Sequence, residues 1–154
     1  MREVDVLGVR VEMPSNSPIV LLREVEGQRY LPIWIGAVEA TAIAFAQQGV
    51  VPPRPLTHDL LKDVLESTGN ELSEVRITEV KDGMFFATLV LASGVEVSAR
   101  PSDSIALALR TGSRILCADE VLAEAAGSEA RRVGATTCST SPTSRSAEVL
   151  NARR

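Results

Sequence analysis

Twice along this chain, two short apolar-rich runs separated by a turn lead into a stretch of small residues with helical spacing. The first unit covers residues 19–48 and the second residues 84–111. A hairpin followed by a helix buries one face and leaves a second face needing cover, so two such units are expected to close on each other as a duplicated half-domain. The whole chain reads β-β-β-α-α-β-β-β-α-β-α. Hairpins interrupted by helices, rather than strands alternating with them, predict an α+β domain whose mixed β-sheet is built from two hairpin-plus-helix halves.

The details follow from local chemistry. Val4 and Val6 share a face, while Val9, Val11 and Met13 continue out of phase across Leu7-Gly8, which predicts a bulge there. Residues 14–18, PSNSP, are a turn, and residues 19–25 and 29–35 form a hairpin. Pro32 has no N–H, which places its strand at a sheet edge or interrupts it. AVEATAIAFAQQ, closed by Gly49, is a helix of small residues. A proline-rich link then leads to THDLLKDVLES, where Leu61, Val64 and Leu65 are the expected buried stripe. Three strands follow over residues 72–80, 84–91 and 95–100, then a helix from Ser102, a short strand over 114–117 and a helix from Asp119. The domain is expected to span residues 1–126. Residues 127–154, rich in Ser, Thr, Ala and Arg, are expected to form a disordered tail.

Composition removes several classes. A 45% apolar fraction in 154 residues supplies one core and excludes wholesale disorder. No apolar run approaches the ~20 residues of a membrane-spanning helix, and the Met-Arg-Glu-Val-Asp start is no signal sequence, so a cytoplasmic address without membrane association is expected. The net charge is −4, with −7 carried through Ala126 and +3 beyond it. An acidic body offers no general basic surface, so nucleic acid can bind only through a local site. Cys117 and Cys138 with a single histidine cannot make a conventional structural zinc site, and both are expected to stay reduced without a role. There is no nucleophile elbow, phosphate-binding glycine loop, dinucleotide fingerprint or His-Glu-x-x-His.

Two segments share one grammar. Arg54-Pro55-Leu56-Thr57-His58-Asp59 and Arg100-Pro101-Ser102-Asp103 each run from arginine and proline through a hydroxyl residue to aspartate and a helix. Helix capping by Thr57 and Ser102 explains part of this, with the aspartates complementing the helix dipoles. Glu39, in the third helical position after Gly36, reads the same way. Capping leaves the arginines unexplained. An arginine beside a helix N-terminus is a phosphate-sized site, and nearby carboxylates can hold a divalent cation against that phosphate. A salt bridge between either arginine and an aspartate is the plainer alternative. His58, the only histidine, can move a proton, although a first-turn histidine also serves simply as a surface or capping residue. Tyr30 and Trp34 share a strand face that either stacks on a base or packs against a helix.

LPIWIGAVEATAIAFA (31–46), RPLTHDLL (54–61), DGMFFATLVL (82–91) and RPSDSIALALR (100–110) together resemble the bifunctional nuclease family over residues 3–126. The resemblance implies an α+β domain, with nuclease activity on both DNA and RNA ascribed to some members. Under a nuclease reading of these residues, Glu39, Asp59 and Asp103 are expected to hold Mg²⁺ or Mn²⁺, Arg54 and Arg100 to neutralise the scissile phosphate, and His58 to handle a proton. The family pattern falls on Ile35, Gly36 and Glu39, on Arg54 to Asp59, and on Arg100 to Asp103. It departs at Ser104, where the family usually has alanine. The six functional positions are expected to converge on one side of the domain. Two other functions remain open: a non-catalytic module that binds a small anionic ligand such as a nucleotide, and a structural domain that works through a protein partner. A homodimer is expected from the edge strand carrying Tyr30 and Trp34.

Overall fold

The structure, a computed structural model, describes residues 1–135, with side chains described to residue 127. The elements are β1 (Arg2–Glu12), β2 (Ser17–Glu24), β3 (Tyr30–Trp34), α1 (Ala37–Gln48), α2 (Thr57–Ser67), β4 (Leu72–Lys81), β5 (Met84–Leu91), β6 (Glu96–Ala99), α3 (Pro101–Thr111), β7 (Arg114–Cys117) and α4 (Asp119–Ala135). This is the element order expected from the sequence. All seven strands form one mixed sheet in the order β3-β2-β1-β7-β4-β5-β6. Among the described residues, only the β4–β7 pair is parallel. Each half is a three-strand meander ending in a helix, β1-β2-β3-α1 and β4-β5-β6-α3, and β7 joins the two.

Local signals explain several joints. The register of β1 against β2 slips between Val6 and Gly8, the bulge expected at that glycine. Asp82 and Gly83 both have positive φ, so Lys81 and Met84 pair across the two-residue Asp-Gly turn that suits a twisted hairpin. β3 is an end strand, as Pro32 requires. Its Ile35 N–H bonds to Pro18 on the β2 side, so by alternation the Tyr30, Pro32 and Trp34 backbones face outward. The central position of that outer row therefore has no donor.

One core lies on one face of the sheet. Val20, Leu22, Leu31, Val75, Ile77, Ala87 and Ile115 meet Ile43 of α1, Ile105 and Leu107 of α3, and Val121 and Leu122 of α4. Each is worth roughly 1.5–3 kcal/mol of burial if Val-sized or larger. Cys117 is fully buried in it, and burial pushes its thiol pKa up to about 12, which keeps it an inert thiol. Two buried glutamates on the sheet are held by arginines. Glu24 meets Arg29 at 2.8 Å, and Glu74 meets Arg114 at 2.8 Å.

Three sequence expectations are corrected. Leu61 and Val64 are not a buried stripe: α2 has no buried residue, because it lies outside the core against α3. Tyr30 and Trp34 do not pack beneath a helix; they project from the face opposite the helices and are exposed. Helix α4 runs past residue 126 to Ala135, and Val121, Leu122 and Ala125 anchor its first turns in the core. The rest of the expected tail, residues 136–154, lies outside the described residues.

Candidate functional site: a polar chain at three helix starts

Glu39, Asp59 and Asp103 occupy the same place in three helices. Each is the third residue, counted from N-caps Gly36, Leu56 and Arg100. Thr57 and Ser102 are therefore inside their helices rather than caps, because proline-preceding Arg100 and extended Leu56 take the cap positions. None of the three N-cap side chains caps its helix by a hydrogen bond. A third-position carboxylate ordinarily reaches back to its own N-cap. Asp59 does so, accepting from Leu56 N–H at 3.0 Å.

Asp103 is diverted from that role. Its Oδ2 accepts from Arg100 Nε at 2.7 Å and its Oδ1 meets His58 Nε2 at 3.0 Å. Arg100 Nη2 in turn donates to Glu39 Oε1 at 2.9 Å. The starts of α1, α2 and α3 are thus joined in one chain, Glu39–Arg100–Asp103–His58. Burial raises the Asp103 pKa, but the Arg100 and His58 bonds together outweigh it and hold the carboxyl below its usual range. The Asp103 and Glu39 bonds raise the Arg100 pKa further. An ionised Asp103 can only accept, so the proton of a neutral His58 sits on Nε2 and the lone pair on Nδ1.

The remaining two candidates stand apart from this chain. Asp59 Oδ1 is bound at 2.6 Å by Arg110 Nε, the last residue of the RPSDSIALALR segment but not one of the expected site residues. Arg110 is only 8% exposed and also donates to the Ala42 and Ala106 carbonyls, so one guanidinium ties α1, α2 and α3 together. Burial opposes ionisation of Asp59, but the Arg110 and Leu56 bonds prevail and keep its pKa low. Arg54 is exposed and makes no ion pair or side-chain hydrogen bond with any described residue.

The three carboxylates do not fit one divalent ion. The oxygens named above are already taken by guanidinium, imidazole or backbone N–H groups, which compete with a cation for the same lone pairs. Among the described residues, no group of three or more His, Cys, Asp and Glu side chains is arranged to hold a metal.

Arg100 also forms part of the wall of a groove of about 450 Å³. The groove runs between the end of β3 and the start of β5, strands near opposite ends of the sheet order. The sheet must curl to bring them together.

The site is thus a carboxylate–arginine–carboxylate–histidine chain at the helix starts of an α+β domain built from two similar meander-plus-helix halves. Residues 20–130 match the model of the bifunctional nuclease domain, and the chain belongs to that family. An uncharacterised protein of Mycobacterium tuberculosis is 57% identical over 125 residues, covering 81% of this chain and 76% of that protein. Bifunctional nuclease 1 of Oryza sativa subsp. indica and bifunctional nuclease of Oryza minuta are each 29% identical over 111 residues, 68% of this chain and 33% of theirs. Among the described residues, no helix is long and apolar enough to cross a membrane.

Proposed function

We propose that this protein is a nuclease that hydrolyses phosphodiester bonds of DNA or RNA at the starts of α1, α2 and α3. The hydrogen-bonded chain from Glu39 to His58 is the observation that carries the reading, and the likeness to the rice nucleases supports it. Capping alone accounts for Asp59 but not for Asp103, whose two oxygens orient an imidazole and a guanidinium instead.

The roles follow from those bonds. Arg100 keeps Nη1 clear of the described residues while Nε and Nη2 are fixed by two carboxylates, so it can donate to a phosphate oxygen without reorganising. His58 Nδ1 takes a proton from the attacking water as the water oxygen bonds to phosphorus. The resulting imidazolium, steadied by Asp103, returns that proton to the oxygen leaving phosphorus. Arg54, solvated at the entry to α2, adds attraction for the flanking phosphates in an otherwise acidic protein. The donor set does not fit a metal ion, and in this reading the protein's own side chains carry each step.

Incubation of the purified protein with labelled DNA and RNA, in chelator and in Mg²⁺ or Mn²⁺, tests this directly. Cleavage is expected, with His58→Ala and Arg100→Ala each lowering it at least 100-fold while remaining folded by circular dichroism. Intact substrate under every condition would overturn the nuclease reading, and bound but uncleaved substrate would identify a binding module instead. The proposal includes a homodimer formed through the outer face carrying Tyr30 and Trp34. Pro32 removes the central donor that edge-to-edge pairing would use. Light scattering at rising concentration is expected to show twice the chain mass, and a monomer throughout would exclude it.

A further inference from the structure

The groove beside Arg100 contains a feature that phosphate chemistry does not use. Ser102 is 7% exposed and lines the groove, yet its hydroxyl makes no hydrogen bond with any described residue. The neighbouring Ser104 hydroxyl, by contrast, donates to the Arg100 carbonyl at 2.9 Å. Every fully buried side-chain polar atom among the described residues has a partner. The Ser102 hydroxyl must therefore be the part of that residue still open to the groove. A hydroxyl that no protein group engages and that is open to the groove has its donor and acceptor positions available to a ligand.

The other walls say what that something is. Ile33 and Trp34 line the groove from β3, and Met84 and Phe85 line it from β5, while Arg100 stands where the groove meets the polar chain. The combination is an apolar, aromatic slot with one hydroxyl inside and a guanidinium at its mouth. At about 450 Å³ it is far larger than a phosphate and within the range of small-ligand sites. Trp34 is held in place, its indole N–H donating to Glu12 at 2.8 Å, so the aromatic wall is preorganised.

We infer that this groove receives an unpaired nucleobase of a single-stranded nucleic acid whose adjoining phosphate is held by Arg100. The inference rests on the nuclease reading for the identity of the polymer. A base offers a flat π-face to Trp34 and polar edges to Ser102, and its phosphate is the anion Arg100 suits. A base inside a duplex is stacked and paired and cannot enter without being extruded, so single strands are the preferred substrate.

Trp34 is the only tryptophan in the chain, which makes it a direct reporter. The full chain is titrated with U10, with dT10, with dT10 annealed to dA10, and with UMP, following Trp34 fluorescence. Saturable quenching by both single strands is expected, with at least 10-fold weaker response to the duplex and to UMP. Ser102→Ala and Met84→Glu should each weaken single-strand binding about 5- to 100-fold. Met84 is 61% exposed, so the second variant keeps the test alive if the first fails to fold. Equal quenching by duplex and single strand overturns the inference, as does normal binding by both folded variants. UMP acting as well as the decamers would make this a free-nucleotide site and overturn the strand assignment. If single strands are cleaved while quenching is absent, the groove assignment fails and the nuclease reading stands. Quenching that both variants weaken, without cleavage, supports the groove and removes the nuclease.

Discussion

Arg110 Nε binds Asp59 Oδ1 at 2.6 Å, a polar tie on a helix that meets the hydrophobic core through half-buried Leu65. Helix α2 has no fully buried residue and carries His58, so its docking on α3 adds polar contacts from Arg110 and Asp103 to the packing of Leu65. Removing Arg110 would strand Asp59 and leave two carbonyls, of Ala42 and Ala106, without that donor. Arg110→Met is expected to cost about 2–4 kcal/mol by urea unfolding, with Arg110→Lys recovering only part, because one ammonium cannot reproduce the fork. The His58 ring resonances should broaden or shift in the same variant. A stability loss below 0.5 kcal/mol with an unchanged His58 spectrum would show that α2 is held by something else.

The hairpins, the bulge at Gly8, the edge position of Pro32 and the kinship of Glu39 with Asp103 were all legible in the sequence, because each is set within a few residues. What escaped was set across long separations. Arg110 closes an apolar helix, where a basic residue already complements the helix dipole, and that local explanation conceals its bond to Asp59 fifty-one positions away. The amphipathic pattern of α2 correctly indicated a helix, but not that its apolar side would remain largely exposed. The groove exists only because the sheet curls, and no local pattern around Trp34 or Met84 records that they line one groove.

Gly36 is needed for space rather than for backbone freedom. Its φ of −74° suits any residue, but an added Cβ would overlap Glu39 Oε2. Gly36→Ala should therefore push the Glu39 carboxylate aside and break its bond to Arg100. A stability loss of about 1 kcal/mol is expected from the poorer N-cap. The informative measurement is a double-mutant cycle: Gly36→Ala and Glu39→Gln should lower nucleic-acid affinity by the same factor and not add. Full additivity would mean that Gly36 does not act through Glu39.

Asp103 makes acid stability sensitive to this site. Its folded-state pKa lies below the unfolded value because the Arg100 and His58 bonds overcome the effect of burial. The stabilisation is therefore present above the unfolded value of about 3.9 and is lost as pH falls through the lower folded value. Urea unfolding of wild type and Asp103→Asn should differ most at pH 6–7 and converge below about pH 3. A difference that stayed constant down to pH 2 would place the effect in packing rather than ionisation. Asp59→Asn should show the same acid convergence, since Arg110 and the Leu56 N–H lower its pKa in the same sense.

Arg54 separates attraction from architecture. It is exposed and bonded to no described residue, so its replacement removes no folded-state contact. Arg54→Ala should leave stability within about 0.5 kcal/mol of wild type. If Arg54 meets a phosphate, the same change should weaken binding of U10 and of dT10 by similar factors, because a phosphate contact carries no base information. It should also reduce the slope of log affinity against log salt by about 0.7, the counterion released by one contact to a single strand. Arg100→Ala should reduce that slope similarly but also lower stability, since it leaves Glu39 and Asp103 facing the site without their shared cation. An unchanged salt slope in Arg54→Ala would remove this arginine from the interface and leave Arg100 to hold the phosphate.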